Sequence, residues 1–226
     1  MKFLIDDANI DNIKEIYKYF AVDGVTTNPS ILAASGKKPY EALREIREFI
    51  GNDVELHVQV ISKDAENMIK EGKKIVKELG INTYIKIPTT LEGLRAMKAL
   101  SAEGYKITAT TIYTPMQAYL VAKAGADYAA PYVNRIDNLG ANGISATKQM
   151  HDIFKNNGFK TKILAASFKN SQQVLELCDY GVGASTLSPD IIQGLINNPS
   201  VSFAVDEFTK VFEKICGEGK TMLDCE

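Results

Sequence analysis

Short segments rich in β-forming residues alternate along the chain with longer segments in which apolar residues recur every three or four positions. This alternation is typical of repeated βα units around a parallel, buried sheet. About eight such units are present, the number that closes an α/β barrel of the (β/α)8 or TIM type. The predicted strands are residues 3–5, 24–27, 54–61, 84–87, 106–111, 128–133, 162–166 and 182–186.

Side chains with known positional preferences mark the ends of the helices between these strands. Apolar residues recur at helical spacing over residues 65–79 and 91–103, with Lys and Glu elsewhere. Ser or Thr before a helix and Gly just past it are typical of helix ends. The predicted caps are Ser62, Thr90 and Ser188, which precedes Pro189, and the predicted terminating glycines are Gly80, Gly104 and Gly158.

The sequence gives no sign of a division into separate domains, because no Gly/Ser/Pro-rich linker or shift in composition interrupts it. We therefore predict one domain over residues 1–226. An amphipathic segment at 201–215 follows the eighth unit, and we expect it to be an additional C-terminal helix that packs across the barrel mouth or onto a neighbouring subunit. Residues 217–226 are expected to form a loose tail.

Composition agrees with one large globular domain. The chain has 226 residues, of which 45% are hydrophobic and 24% charged, and α/β barrels commonly have roughly 250 residues. There are 26 Lys and Arg against 28 Asp and Glu. No strong field therefore attracts polyanions or a membrane surface, and neither nucleic acid nor a membrane is an expected partner.

The cysteines and the N-terminus favour a cytoplasmic protein. Cys178, Cys216 and Cys225 are odd in number and lack zinc-ligand spacing, so neither a disulfide framework nor a zinc site is expected. The first residues, MKFLIDDAN, are acidic where a signal peptide has a long apolar stretch. No run approaches the roughly 18 apolar residues of a membrane span.

Polar side chains stand at the carboxyl ends of nearly all the predicted strands. In a TIM barrel these ends meet at one face, where the active site lies. The residues are Asp6; Thr26, Thr27 and Asn28; His57 and Gln59; Lys86; Thr108, Thr110 and Thr111; Tyr132, Asn134 and Arg135; and Ser167 and Lys169. Most of the threonines have a simpler interpretation as β-branched strand formers.

Lys86 is the most informative of these residues, because it interrupts the otherwise apolar segment Tyr-Ile-Lys-Ile-Pro. Burial disfavours an ammonium and lowers the lysine pKa, which is how lysines that form Schiff bases are activated. A neutral Lys86 would be able to attack the carbonyl carbon of a substrate. The alternatives are a lysine whose stem lies along a strand edge while its amine reaches solvent, and an ion pair with Asp6.

Arg135, Ser167 and Lys169 lie near the rim on adjacent predicted strands. Together they offer guanidinium, hydroxyl and ammonium donors to a phosphate group. Each alone is an ordinary loop residue, so the prediction of a phosphate site rests on their convergence.

His57 alternates with Gln59 and is expected to face the barrel interior. A lone histidine there is usually a hydrogen-bonded core residue. With no second histidine nearby and no carboxylate cluster at ligand spacing, we expect no metal site.

Four blocks of sequence stand in order along the predicted barrel: Gly24-Val-Thr-Thr-Asn-Pro-Ser-Ile31, Ile85-Lys-Ile-Pro88, Ala130-Pro-Tyr-Val-Asn-Arg-Ile-Asp137 and Ala165-Ala-Ser-Phe-Lys169. With these blocks the chain resembles the family of small bacterial transaldolases and fructose-6-phosphate aldolases. The resemblance implies a class I aldolase that forms an imine on Lys86 and needs no cofactor. It also implies sugar phosphates and dihydroxyacetone-type compounds as substrates, and a homodecameric assembly.

The resemblance further implies roles for the matching residues. Lys86, Tyr132, Asp6, Gln59 and Thr110 form the implied catalytic set, in which Tyr132 is the acid/base and Gln59 and Thr110 hold a water. Thr26 and Asn28 position substrate hydroxyls, and Arg135, Ser167 and Lys169 bind phosphate. Asn134 and His57 complete the expected substrate-binding set.

Two positions favour cleavage of fructose 6-phosphate over transfer of its three-carbon unit. The similar transaldolases have glutamate and phenylalanine where this chain has Gln59 and Tyr132, and only a phenol offers a proton relay. His57 departs from the pattern, since the similar aldolases have phenylalanine there.

Three other functions remain open from the sequence. A transaldolase shares every step up to the enamine. A non-catalytic sugar-phosphate sensor would use the same pocket without covalent chemistry. A phosphate-binding isomerase is disfavoured because no glutamate ends a predicted strand.

Overall fold

The computed structural model describes residues 1–225 and contains a closed barrel of parallel strands, each hydrogen-bonded to its neighbours in sequence order. This architecture confirms the predicted TIM barrel. The strands are β1 (Lys2–Asp6), β2 (Gly24–Thr26), β3 (Glu55–Gln59), β4 (Thr83–Pro88), β5 (Ile107–Ile112), β6 (Tyr128–Pro131), β7 (Lys162–Ala165) and β8 (Ala184–Leu187).

Helices connect the strands and continue past the last one. They are α1 (Ile10–Tyr19), α2 (Pro29–Ala34), α3 (Pro39–Ile50), α4 (Ala65–Leu79), α5 (Leu91–Ala102), α6 (Pro115–Lys123), α7 (Val133–Asn138), α8 (Gly143–Asn156), α9 (Ser171–Tyr180), α10 (Pro189–Gly194) and α11 (Pro199–Cys216). Within residues 1–225, none of these helices is long and apolar enough to cross a membrane.

Most of the predicted helix ends are confirmed. The Thr90 hydroxyl accepts a hydrogen bond from the backbone N–H of Gly93 at 2.9 Å, and Gly80 caps α4 in a conformation with φ of +90°. The prediction for Ser62 is wrong. Asp64 is the cap of α4 and accepts from the N–H of Asn67, because its carboxylate stands one residue before the first helical position.

The sixth strand is shorter than predicted. It ends at Pro131, and Tyr132 stands at the cap position of α7. Arg135 and Asn134 therefore lie on a short helix, whereas the prediction placed them at a strand end. Proline has no N–H to donate to the next strand, which favours the end of the ladder here.

The core has two layers, one between helices and strands and one inside the barrel. On β4, Ile85 and Ile87 are fully buried against the helices, and the alternating Lys86 faces the barrel interior. Gly93 allows α5 to approach closely, since a Cβ there would lie 1.9 Å from the carbonyl oxygen of Pro88. This contact fixes the end of the strand that carries Lys86.

The chain forms two compact units, Met1–Ile192 and Gln193–Glu226. The first contains the whole barrel. The second contains α11, which begins two residues before and ends one residue after the predicted helix 201–215. In the described part of the predicted tail, residues 217–225 form turns without helix or strand. The prediction of one domain stays a prediction.

Candidate active site

A cavity of about 350 Å³ opens at the carboxyl ends of the barrel strands. Most of the predicted site residues line it. They are Asp6, Thr26, Asn28, Gln59, Lys86, Thr110, Tyr132, Arg135 and Ser167. Two larger cavities, of about 720 and 640 Å³, lie beside α4 and share Pro29 and Gln59 with it. The smaller cavity is the candidate site, because it contains the buried lysine and carboxylate whose pKa values are perturbed.

Lys86 lies in the middle of the barrel between Gln59 of β3 and Thr108 of β5. It is 7% exposed, and its Nζ donates a hydrogen bond to the carbonyl oxygen of Thr27 at 2.6 Å. Within residues 1–225 it forms no salt bridge. Burial lowers the pKa of the Lys86 ammonium, and the charge of Asp6 only partly opposes this shift. The arrangement therefore favours the neutral, nucleophilic amine.

Asp6 ends β1 and accepts a hydrogen bond from the Thr26 hydroxyl at 2.6 Å. Burial raises the pKa of the Asp6 carboxyl, against the opposing effects of the Lys86 charge and the Thr26 hydrogen bond. The shifts of Asp6 and Lys86 act in the same sense, since both favour a neutral acid beside a neutral amine. In the described residues the Lys86 amine bonds to Thr27 and the Asp6 carboxyl bonds to Thr26, and no salt bridge joins the two. The predicted alternative of a structural ion pair is therefore not the arrangement found.

Tyr132 and Thr110 meet across the cavity, where the Tyr132 hydroxyl lies 2.9 Å from the Thr110 hydroxyl. The pairing of β5 with β6 is interrupted between Ala109 and Ile112, and Thr111 has a φ of +59°. Left-handed backbone is rare for a β-branched residue, and bulges often redirect side chains next to active sites. The bulge turns Thr110 toward the phenol.

Arg135 and Ser167 lie at the rim of the cavity. Ser167 has a φ of +61°, and its carbonyl oxygen accepts from the N–H of Asn134 at 2.8 Å. The Arg135 guanidinium lies 4.6 Å from the centre of the Tyr132 ring. This stacking holds the guanidinium beside the phenol, with N–H donors available to an anion.

Asn28 is both a cavity residue and a helix cap. Its Oδ1 accepts hydrogen bonds from the N–H groups of Ser30 and Ile31 at 3.0 and 3.1 Å. The amide is thereby fixed in orientation, and its Nδ2 is the group that remains for a substrate oxygen.

Asn134, Lys169 and His57 do not line the cavity. The backbone N–H of Asn134 donates a hydrogen bond to the carbonyl oxygen of Ser167. Lys169 is exposed, and its backbone N–H is bound to Gln173 Oε1 at 2.7 Å. Of the predicted phosphate set, Arg135 and Ser167 line the cavity, and the role of Lys169 stays a prediction.

His57 lies below the cavity, one interior layer beneath Gln59. It is fully buried, stacks on Tyr84 at 4.6 Å, and its Nδ1 lies 2.8 Å from the Thr108 hydroxyl. Its Nε2 lies 3.5 Å from Glu55 Oε2, which is long for a hydrogen bond. The structure thus separates His57 from the position expected of a substrate-binding residue.

A buried polar network surrounds His57 at the amino ends of the strands. Glu55 pairs with Lys2 and accepts a hydrogen bond from the Tyr128 hydroxyl. Burial alone would raise the pKa of Glu55, but His57 and Lys2 lower it to about 2. Burial lowers the pKa of His57 to about 4, with Glu55 partly opposing. At neutral pH the network contains a carboxylate and an uncharged imidazole, so His57 adds no positive charge beneath Lys86.

Thr186 is a cavity residue absent from the sequence predictions. It is the polar residue at the end of the eighth strand, so the rule that identified the other strand ends applies to it equally. The cavity is also lined by three apolar residues, Ala130, Leu164 and Ala166. Among residues 1–225, no group of three or more His, Cys, Asp or Glu side chains is placed to hold a metal ion.

Comparison with known proteins agrees with this geometry. The family described as Transaldolase/Fructose-6-phosphate aldolase matches residues 3–222. The chain belongs to this family. A probable fructose-6-phosphate aldolase of Streptococcus pneumoniae is 42% identical over 92% of this chain and 95% of its own length. It follows that the chain is an enzyme of the aldolase or transaldolase type.

Relatives within the family have two different names. A probable transaldolase of Hydrogenobaculum is 37% identical over 95% of this chain and 98% of its own. A probable transaldolase of Nitrosopumilus maritimus is 36% identical over 96% of this chain and 97% of its own. Membership in the transaldolase/fructose-6-phosphate aldolase family therefore leaves cleavage and transfer as the two activities to be separated.

Proposed function

We propose that this enzyme is a class I aldolase that reversibly cleaves fructose 6-phosphate into dihydroxyacetone and glyceraldehyde 3-phosphate. The observation that carries the proposal is the buried Lys86 amine, which has a lowered pKa and a cavity large enough for a sugar phosphate. Its hydrogen bond to a neutral carbonyl oxygen uses one N–H and leaves the nitrogen lone pair free for attack.

The first step forms the imine. Neutral Lys86 adds to the C2 ketone to give a carbinolamine. Its hydroxyl group leaves as water with the proton of the neutral Asp6 acid, and the nitrogen lone pair forms the protonated imine. Asp6 lies on the same interior face and becomes the counter-charge as the imine forms. A fixed carboxylate in a dry site stabilises such developing charge.

The second step breaks the C3–C4 bond. Tyr132 takes the proton of the C4 hydroxyl while its own phenol proton passes through bound water to the Asp6 carboxylate. The bonding electrons move into the imine to give an enamine, and glyceraldehyde 3-phosphate leaves. The Thr110 hydroxyl, 2.9 Å from the phenol oxygen, donates to that oxygen as negative charge develops on it. Arg135 and Ser167 hold the phosphate group at the rim.

The third step releases dihydroxyacetone. The enamine is protonated at C3, and water adds to the imine and expels the Lys86 amine. Gln59 faces Lys86 across the β3–β4 pairing and supplies amide groups that position this water. Aldol addition uses the same steps in reverse, and the imine supplies the electron sink that metal-dependent aldolases obtain from a cation.

Transaldolase activity is the second candidate, and the names of the Hydrogenobaculum and Nitrosopumilus relatives favour it. In that reaction the enamine attacks erythrose 4-phosphate instead of being protonated. The Tyr132 phenol supports cleavage, because it gives the enamine a proton source at the site.

Borohydride trapping tests the proposed chemistry. The enzyme is incubated with dihydroxyacetone or fructose 6-phosphate, reduced with borohydride, digested and mapped by mass spectrometry. We expect one reduced three-carbon unit, located on Lys86. Borohydride without substrate is the control. No adduct, or an adduct on another lysine, contradicts the imine mechanism and leaves a non-covalent sugar-phosphate site.

Product analysis then separates the two activities. Enzyme that has not been treated with borohydride is incubated with fructose 6-phosphate in the presence and absence of erythrose 4-phosphate. Free dihydroxyacetone in both incubations supports the aldolase. A seven-carbon ketose phosphate, formed only with the acceptor and without free dihydroxyacetone, supports the transaldolase.

We further propose a homo-oligomer that works in the cytoplasm. An odd number of cysteines, three in this chain, without a disulfide framework suits a reducing compartment. On α11, Phe203 and Phe208 are among several exposed apolar side chains, and such surfaces commonly mark protein contacts. We expect sedimentation equilibrium at micromolar concentration to give a multiple of the chain mass of 24.8 kDa. A monomer would contradict this proposal.

A further inference from the structure

Thr186 has no part in the mechanism above, yet it lines the cavity that contains Lys86, and its hydroxyl contacts the Thr26 hydroxyl. We propose that Thr186 is a positioning residue that orients the Thr26 hydroxyl toward Asp6, and so stabilises the Asp6 carboxylate when the imine becomes positively charged. The catalytic part of this inference rests on the proposed function; the effect on Asp6 does not.

The three side chains come from adjacent strands. β1 lies between β2 and β8, with Asp6 opposite Thr26 and with Leu4 opposite Thr186. The Thr26 hydroxyl is 2.6 Å from Asp6 Oδ1 and 2.6 Å from the Thr186 hydroxyl. Thr26 is fully buried and Thr186 is 4% exposed. Water therefore has little access to the Thr26 and Thr186 hydroxyls and cannot easily replace either of them as a hydrogen-bond partner.

The number of protons that each group can donate fixes the direction of the two hydrogen bonds that link Thr186, Thr26 and Asp6. An ionised carboxylate only accepts hydrogen bonds, and a hydroxyl has one proton to donate. When Asp6 is ionised, Thr26 must donate to Asp6, and the short contact between the two threonines then requires Thr186 to donate to Thr26. When Asp6 is protonated, the direction can reverse. Thr186 therefore responds to the charge on Asp6 without touching it.

The ordering has an electrostatic consequence. A hydroxyl that accepts a hydrogen bond becomes a better donor, so Thr186 strengthens the bond from Thr26 to Asp6. That bond lowers the pKa of Asp6 against the larger effect of burial. The charged groups that also act on Asp6 are Lys86, Asp7 and Arg135, and none of them changes when Thr186 is replaced. Loss of the Thr186 hydroxyl should therefore raise the pKa of Asp6 further.

Thr186→Val tests the inference because it removes the hydroxyl and keeps the branched shape. We expect kcat to fall roughly three- to tenfold, as for the weakening of one hydrogen bond to a charged group, with little change in KM. Cleavage needs Asp6 to be ionised in the imine complex, so the acid limb of the pH profile of kcat should move upward by about half to one pH unit. Thr186→Ser restores a hydroxyl and should restore both values.

Ser185→Ala is the matched control. Ser185 is the preceding residue of the same strand and is fully buried, and its Oγ has no hydrogen-bond partner among residues 1–225. Ser185 faces away from the barrel interior, so Ser185→Ala removes a hydroxyl from β8 without changing the hydrogen bonds that link Thr186, Thr26 and Asp6. We expect the wild-type pH profile.

A second measurement needs no turnover. Carbon-13 NMR of the aspartate carboxyls follows the titration of Asp6 in the free enzyme, and Asp6→Asn identifies its signal. We expect Asp6 to titrate at higher pH in Thr186→Val than in the wild type, the Ser variant and the Ser185→Ala control. Should the valine variant fail to fold, Thr186→Ala gives the same comparison. Unchanged titration in a folded variant overturns the inference.

The two measurements separate this inference from the proposed function. If the wild type gives no adduct with borohydride, the imine mechanism fails, but the titration still reports on Thr186. If the adduct forms on Lys86 and the titration of Asp6 is unchanged by Thr186→Val, the mechanism stands and only the role of Thr186 is wrong.

Discussion

Replacement of Lys86 by methionine is expected to lower kcat/KM for fructose 6-phosphate by on the order of 10⁴-fold or more, as for the loss of other covalent nucleophiles. Methionine has an unbranched chain of similar length and fills the same buried volume, so the loss reports the amine and not a cavity. Adduct formation with borohydride should disappear together with activity. The measurement is steady-state cleavage, with trapping on the same preparation.

The same substitution is expected to stabilise the fold. The Lys86 pKa is lowered in the folded protein, while an unfolded lysine has a pKa of about 10.4. A lysine with a lowered folded pKa destabilises the protein at all pH values below that folded pKa, and the effect disappears as pH rises through the unfolded value. Lys86→Met should therefore raise the melting temperature at neutral pH, with a difference that vanishes near pH 10.4.

Lys162→Met is the control for both effects. Lys162 also lies on a barrel strand, but it is exposed and stands at the amino end of β7, away from the cavity. We expect wild-type activity and trapping, with no rise in melting temperature. Substantial cleavage by Lys86→Met would contradict the assignment of the nucleophile.

The sequence carried enough information for the barrel and for the nucleophile. Buried parallel strands need apolar residues on both faces, so each appears as a short apolar run between helical segments. A lysine within such a run, as in Tyr-Ile-Lys-Ile-Pro, conflicts with that requirement, and such a conflict indicates a functional residue. Lys86 indeed lies inside the barrel beside Gln59.

The layer of the barrel interior in which a side chain lies was harder to predict than the face of the strand from which it projects. Alternation of residues shows that His57 and Gln59 share a face, but not which layer forms the floor of the cavity. Two residues of a strand span about 6.6 Å, and this distance places His57 beneath the site in a network with Glu55 and Thr108. Its partners come from other strands, so no local pattern reveals them.

The loops that follow the strands were the least predictable part of the site. Once the chain leaves the ladder, alternation no longer determines where a side chain points. Ser167 has a left-handed backbone, which few residues other than glycine adopt. Of the two polar residues that follow β7, Ser167 lines the cavity and Lys169 does not. Arg135 reaches the site because α7 begins at Val133, a boundary that the strand prediction had passed over.

Replacement of Tyr132 by phenylalanine tests the distinction between cleavage and transfer. General acid–base groups contribute roughly 10²–10⁴-fold to rate, so we expect fructose 6-phosphate cleavage to fall within that range. Without the phenol, the enamine loses its proton source and persists longer. With erythrose 4-phosphate present, a larger share of enamine should be captured by the acceptor, so the ratio of seven-carbon ketose phosphate to free dihydroxyacetone should rise.

Tyr113→Phe provides the matched control for this ratio. The Tyr113 ring packs edge-on against Tyr132 at 5.6 Å, but Tyr113 does not line the cavity. Removal of its hydroxyl changes the same kind of ring in the same neighbourhood, and we expect neither rate nor product ratio to change. If Tyr132→Phe lowers cleavage and transfer equally, the phenol acts before the two reactions diverge, at bond cleavage, and the account of it as the group that selects between them is wrong. A rise in the ratio confined to Tyr132→Phe would locate that selection at the enamine, where a single hydroxyl decides whether the three-carbon unit is released as dihydroxyacetone or transferred to the second sugar.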